Sequence, residues 1–193
     1  MVPADPEAEE PSTAAESAAG AEDEADAPSS DILDPYRNEN NIRDQVFSAI
    51  SSDGGIKVTA ASVRNLVNDL MIMHTLTAVP ADALGRAVAC SVLLSNGMQD
   101  EQIFQLTADG DGPLRGVVTT CNGVGEVRGY VGNPGIGDMP LEEAVGKGVI
   151  KVVKNHPSWP NPYSGIASMT NGDIDRDIGK FISSNSQVRR PAL

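Results

Sequence analysis

The stretch Gln102–Val131 reads QIFQLTADGDGPLRGVVTTCNGVGEVRGYV, and its pattern decides the fold class. Gln102-Ile-Phe-Gln-Leu-Thr107 alternates apolar and polar residues, the period-2 signature of a strand with one buried face. Asp109-Gly-Asp-Gly-Pro113 is a turn. Leu114 to Thr120, carrying Val117-Val118, is a second strand, Asn122-Gly123 is a strong turn signal, and Glu126-Val-Arg-Gly-Tyr-Val131 is a third. Three strands joined by short glycine-containing connections imply an antiparallel meander.

On the C-terminal side, Gly132–Gly137 is a loop, Leu141–Val145 forms one helical turn and Val149–Lys154 is a fourth strand. His156-Pro-Ser-Trp-Pro-Asn-Pro162 cannot continue a sheet, because its three prolines lack N–H donors. Tyr163–Met169 is a fifth strand. Asp173–Ser184 is a helix with Ile174, Ile178, Phe181 and Ile182 on one side.

On the N-terminal side lie two helices. The first carries Val63, Leu66, Val67, Leu70, Met71, Met73 and His74 near i, i+3, i+4, i+7 spacing, with Ser62 as its N-cap. Pro80 separates it from the second, Ala81 to Leu94, which is apolar nearly all round and therefore expected inside the domain. Before them, residues 44–61 read as a β-hairpin around Ser51-Ser-Asp-Gly-Gly55, with order beginning near Ile42. The expectation is an α+β fold: hairpin, two buried helices, antiparallel meander and C-terminal helix in one layered core domain over residues 42–193.

Residues 1–41 are set apart by charge. The chain has 193 residues and a formal charge of −13, yet positions 1–34 hold 11 acids and no Lys or Arg, leaving 14 basic and 16 acidic residues to the remainder. Val2, Ile32 and Leu33 are the only larger aliphatics there, too little apolar surface to offset chain entropy, so a disordered acidic tail is expected. A solvating extension is the plainer reading and an acidic docking arm the other. The tail lacks the basic start and apolar run of a secretory signal, and it is the reverse of an Arg-rich, acid-poor transit peptide, so the expected location is cytoplasmic, with an organelle as the alternative. A near-neutral body argues against nucleic-acid binding, which needs clustered Lys and Arg. No run approaches the ~20 apolar residues of a membrane helix, so no membrane partner is expected. Two cysteines cannot build a disulfide scaffold or a four-ligand zinc site alone.

No motif carries catalytic chemistry. Asp109-Gly-Asp-Gly112 lacks the Glu that closes an EF-hand loop, since position 120 is Thr, and Gly132–Gly137 lacks the Lys-Ser/Thr of a P-loop. His74 on its helical stripe and His156 in its proline-rich loop read as structural. Cys90 reads as a small hydrophobe in the buried helix. Cys121 adjoins a turn, a setting open to solvent, but nothing in the sequence supplies the base or positive charge that activates a thiol.

Read together, the segments carry a resemblance. His74 precedes Ala83-Leu84-Gly85-Arg86; then come Asp111-Gly112-Pro113-Leu114, Gly125-Glu-Val-Arg128-Gly129-Tyr130-Val131, Asn133-Pro134, Val145-Gly146-Lys-Gly148, Pro162-Tyr163-Ser-Gly165-Ile166 and Asn171-Gly-Asp-Ile174. From about Asp44 to Phe181 this order resembles the N-terminal core of the heat-shock protein 33 family, the redox-regulated holdase chaperones. The resemblance implies an ATP-independent chaperone that binds unfolded client proteins and prevents aggregation under oxidative or heat stress, with dimerisation in the active state. It does not place the client-binding face, and it marks the quoted residues as structural signatures. The family's zinc lies in a C-terminal Cys-x-Cys plus Cys-x-x-Cys domain. This chain ends at Leu193 without those cysteines, so it is expected to be truncated, to hold no zinc or other cofactor, and not to be an enzyme. The rival readings are a thiol-dependent enzyme using Cys121 and a switchless, noncatalytic regulatory or dimerising fragment.

Overall fold

The computed structural model describes residues 43–185. The expectations for the acidic tail, and for residues beyond 185, lie outside that range. The elements run β1 (Gln45–Ile50), β2 (Lys57–Ser62), α1 (Arg64–Met73), α2 (Ala78–Ser95), β3 (Ile103–Gly110), β4 (Val117–Asn122), β5 (Val127–Val131), α3 (Leu141–Val145), β6 (Gly148–Asn155), β7 (Tyr163–Met169) and α4 (Ile174–Asn185). The α+β expectation holds, with every element type in the order read from the sequence.

β1 and β2 form a separate two-stranded sheet, and the other strands form one antiparallel sheet ordered β5-β4-β3-β6-β7. The first meander strand is thus central, because β6 pairs along the free side of β3 from Ile103↔Asn155 to Gly110↔Gly148. Period-2 burial follows: Phe104, Leu106 and Ala108, Val117, Thr119 and Cys121, and Ile150 and Val152 face the helices. α2 packs across β3, β4 and β5, while α4 lies beside it over β6 and β7. The core is accordingly aliphatic, with Leu84, Val88, Leu106, Leu114, Ile150, Ile174 and Ile178 almost fully buried around Phe104. Ser91 and Thr119, both buried, bond hydroxyl to hydroxyl where α2 crosses β4.

Several local expectations need correction. Ser62 is the last residue of β2 and not a cap; Val63 holds the N-cap position and offers no side-chain bond. Asp44, at the entrance to β1, supplies the cap instead: its carboxylate accepts from the backbone N–H of Asn65 (3.0 Å) and Leu66 (2.7 Å). α2 begins at Ala78, and Pro80 sits inside its first turn, where the missing N–H was an orphan donor in any case. Asp109 and Gly110 belong to β3, which moves the turn to residues 111–116. By length and composition α2 is also apolar enough to cross a bilayer, with mean hydropathy 1.3, contrary to the expectation that no segment comes near. Here it is the central helix, packed by α1, α4 and the sheet.

Gly179 gives a stability prediction. It lies in the interior of α4, and an added Cβ would meet nothing within 4 Å. Gly179→Ala is expected to stabilise the protein by about 0.5–1 kcal/mol, because alanine loses less backbone entropy in a helix. Urea unfolding followed by circular dichroism would show a higher midpoint at unchanged slope; a lower midpoint would contradict the open geometry.

Candidate functional site

The signature residues fall into four groups. The first is a knot of glycines where the β3–β4 turn meets the α3–β6 junction. Asp111 donates its N–H to Lys147 O (2.8 Å), and its Oδ1 accepts from Lys147 N (2.7 Å). A Cβ on Gly112 would stand 2.3 Å from Ala144 O, one on Gly148 1.9 Å from Asp109 O, and Gly146 adopts φ +75 with Asp111 Oδ1 2.3 Å from where its Cβ would be. Gly112, Gly146 and Gly148 are therefore required by close backbone approach. Pro113 belongs here too, its carbonyl accepting from Asn133 Nδ2 (3.2 Å).

The second group fastens α2. Thr77 N donates to Pro134 O (3.0 Å) and its Oγ1 to Ile136 O (2.7 Å), which pins the 132–137 loop to the helix start. Gly85 lets Val67 of α1 come within 3.2 Å of its Cβ position. Arg86 bridges two helices: Nε donates to Asp82 Oδ1 (2.9 Å) and Nη1 to Asp175 Oδ2 of α4 (2.8 Å). Both pairs are half exposed, so the clamp orients α4 more than it stabilises it.

The third group lines an open apolar cleft of about 540 Å³ between the end of α1 and the sheet edge. Leu70, Met73 and His74 form one wall; Val118, Thr120, Val127, Arg128, Gly129 and Tyr130 form the other. Leu84 packs from beneath, its Cδ1 2.9 Å from the Cβ position of Gly129, so a side chain there would displace the core. Met73 is 70% and Tyr130 55% exposed. Among the described residues β5 pairs only with β4, which leaves its outer edge without a described strand partner. The sequence quoted His74, Arg128, Gly129 and Tyr130 as separate signatures; tertiary packing brings them together. Met73 belongs with them; the sequence placed it on the apolar stripe of α1, and its exposure depends on where α1 stops.

The fourth group, Tyr163 and Gly165, lies at the opposite end of the sheet, where Tyr163 lines a groove of about 390 Å³. Leu94, Phe104, Val152, Lys154, Trp159, Phe181 and Ile182 complete its lining. Gly165 faces Phe181, whose ring would stand 2.7 Å from a Cβ there.

His156 and the two cysteines sit apart from the signature groups. His156 Nδ1 accepts from both Ser158 N (3.1 Å) and Ser158 Oγ (2.6 Å), while its Nε2 lies 3.9 Å from Glu101 Oε2. A nitrogen taken up by two donors of one neighbouring residue locks a turn; it is not free to accept a nucleophile's proton. Cys121, expected at an exposed turn, is fully buried, because β4 runs through Asn122 and period-2 alternation turns the thiol toward the helices. Cys90 is in turn only partly buried, on the flank of α2. Burial raises both thiols to about 11; the Ser95 hydroxyl opposes the shift at Cys121. The residues do not fit a zinc site of their own: there are two cysteines in the chain, and among the described residues no group of three His, Cys, Asp or Glu is placed to hold a metal.

The Cys121 shift has a sign in solution. Below about pH 8 the thiol is protonated both folded and unfolded, so it contributes no pH dependence. Between the ordinary value of 9.0 and about 11 the unfolded chain releases its proton first, and stability falls as pH rises. Cys121→Ala is expected to flatten that fall, read as urea midpoints at pH 8, 9.5 and 10.5. At pH 8 a disulfide reagent is expected to label Cys121 about 100-fold more slowly than an unfolded thiol. Equal rates would contradict the burial.

Fold and openings define a layered α+β domain that presents apolar surface at two ends of one sheet. The Hsp33 protein family matches residues 44–189, more than half of the chain, and the chain belongs to that family. It is 33% identical over 155 residues to the 33 kDa chaperonin of a Picosynechococcus species, covering 76% of this chain and 52% of that protein. Against the 33 kDa chaperonin of Desulforamulus reducens it is 29% identical over 154 residues, with the same coverage. The chain thus spans about half the length of the curated relatives it matches. The crystal structure of the 33 kDa chaperonin, a heat shock protein 33 homolog, from Thermotoga maritima superposes with a TM-score of 0.68 over 74% of this chain and 51% of that one; at 24% identity this likeness shows the fold.

Proposed function

We propose that this chain acts as an ATP-independent holdase, binding unfolded proteins and keeping them from aggregating, and that it performs no enzyme chemistry. The observation that carries the reading is the cleft at the β5 edge. An apolar opening flanked by an exposed methionine and tyrosine, beside a strand edge that no described strand pairs, suits an extended apolar segment of any sequence. Backbone pairing would supply affinity without sequence demands, and burial of apolar surface the driving force. Methionine adapts to many partners. Family membership supports the same reading, as do relatives named chaperonins. Residues 42–193 act as one core domain in this proposal, located in the cytoplasm and able to dimerise, with no zinc bound by their own side chains. Gly112, Gly146 and Gly148 at the turn junction and Arg86 between the helices hold the scaffold in this proposal.

Both thiols are protonated at neutral pH, and the thiolate is the species that peroxide attacks. Suppression of client aggregation by this chain is therefore expected to be the same with and without peroxide. Light scattering of a heat-denatured client tests this. Met73→Glu combined with Tyr130→Glu is expected to raise the concentration needed for half suppression about tenfold while leaving the urea midpoint near that of the parent, since both side chains are exposed. Suppression that appears only after peroxide, or a double variant that works as well as the parent, would overturn the proposal.

A further inference from the structure

The groove at the far end of the sheet has a different chemistry from the β5 cleft. Its floor is the cross-strand row Phe104, Lys154 and Tyr163 on the helix-facing side. Leu94 of α2 and Phe181 and Ile182 of α4 wall it, and Trp159 closes the end. Four of the chain's seven aromatic residues (three Phe, three Tyr and one Trp in all) thus gather in one place. Amid them stands a cation where the strand pattern calls for an apolar residue. Lys154 Nζ lies 5.8 Å from the centre of the Phe104 ring, and among the described residues no carboxylate is within ion-pair distance of it. An apolar groove with one half-buried ammonium selects a short segment carrying aliphatic or aromatic side chains next to a carboxylate.

The chain contains such a segment. Asp31-Ile-Leu-Asp-Pro-Tyr36 holds two of the three larger aliphatics and the one aromatic of the N-terminal 41 residues, flanked by two of the acids. We propose that residues 31–36 dock in this groove, with Ile32 and Leu33 against Trp159, Tyr163 and Ile182 and with Asp31 or Asp34 paired to Lys154. The reach suffices. Ser48 of β1 accepts from Asn96 Nδ2 at 2.9 Å, and Val46 shares a cavity with Val92 and Ser95, so β1 lies on the same last turn of α2 that offers Leu94 to the groove. A helix is about 10–12 Å across, and the residues between Tyr36 and Asp44 span about 25 Å when extended. Charge favours this occupant over the C-terminal residues 186–193, which start nearer but bring Arg189 and Arg190 to Lys154 and no acid. The β5 cleft also has a cation, Arg128, but its lining holds only one of the chain's seven Phe, Tyr and Trp residues, Tyr130. The acidic tail then acts as a tethered occupant of one apolar site. The inference goes beyond client binding, and its readout requires no client.

Trp159 is the only tryptophan and is 39% exposed, so it reports the groove directly. In the full chain, Ile32→Ser combined with Leu33→Ser is expected to shift its emission to the red and to raise acrylamide quenching about twofold; Asp31→Asn with Asp34→Asn should do so partly. A tether gives an effective concentration on the order of 1 mM. For an intrinsic Kd of about 0.1 mM the groove is then about 90% occupied, and a synthetic peptide of residues 29–38 should bind the Ile32→Ser/Leu33→Ser chain about tenfold more tightly than the parent. Unchanged Trp159 emission and quenching in that variant, or equal peptide affinity for both chains, would overturn the proposal. So would a Trp159 signal that depends on protein concentration, which would assign the groove to a second copy, or equal binding of the peptide with both acids replaced by amides.

Discussion

Gly148→Ala is expected to cost this protein about 3–5 kcal/mol, a large share of the roughly 5–15 kcal/mol that holds a domain of this size together. The new Cβ would stand 1.9 Å from the Asp109 carbonyl and 2.8 Å from the Gly110 Cα, both backbone atoms of the central strand, so no rotamer relieves the clash. Gly148 opens β6 opposite Gly110, and parting these strands also pulls on the bonds between Asp111 and Lys147. Gly135→Ala is the control: no atom lies within 4 Å of its Cβ position, and its backbone is not left-handed. Urea midpoints should fall steeply for the first and stay within about 0.5 kcal/mol of the parent for the second. A Gly148→Ala chain as stable as the parent would show that the junction yields more readily than its geometry allows.

Leu84→Ala is expected to lose about 3–4 kcal/mol, with a second effect that reaches the β5 cleft. Leu84 is 1% exposed at the centre of α2 and touches Gly129, so its removal leaves a cavity under the strand that forms the cleft wall. None of these neighbours can refill the space: Gly129 has no side chain, and Ala83 and Ala87 are short. Leu93→Ala, on the exposed flank of the same helix, should cost less than about 1 kcal/mol. In the light-scattering assay, Leu84→Ala should weaken client suppression at temperatures where the chain is still folded. A loss of stability with suppression intact would place the client site elsewhere, in the end groove first.

Alternation in residues 102–131, the turn residues between the strands and the apolar stripes of α1, α2 and α4 were legible in one dimension, because side-chain period follows from local geometry alone. The order and type of all eleven elements came from that source. Boundaries did not, where a distant partner overrides local preference. Asp44 caps α1 across the hairpin, so Ser62 is free to finish β2. Thr77 is held by Pro134 and Ile136, so α2 starts ahead of its proline. Cys121 shows the same limit: the turn dipeptide beside it suggested exposure, while two further strand residues, Cys121 and Asn122, sent the thiol into the core.

Placement was decided by tertiary contact alone. Periodicity says that β3 has two sides but not which strand takes the second; β6 does, after a crossover through α3, and this makes the first meander strand the middle of the sheet. The same packing leaves β5 at an edge beside Met73 and His74, and sets Lys154 on the helix-facing side over Phe104. A lysine in a run of valines and a glycine before a tyrosine are unremarkable along the chain. They become a cation in an aromatic groove and the floor of an apolar cleft because burial of one sheet face forces residues remote in sequence onto the same few square ångströms.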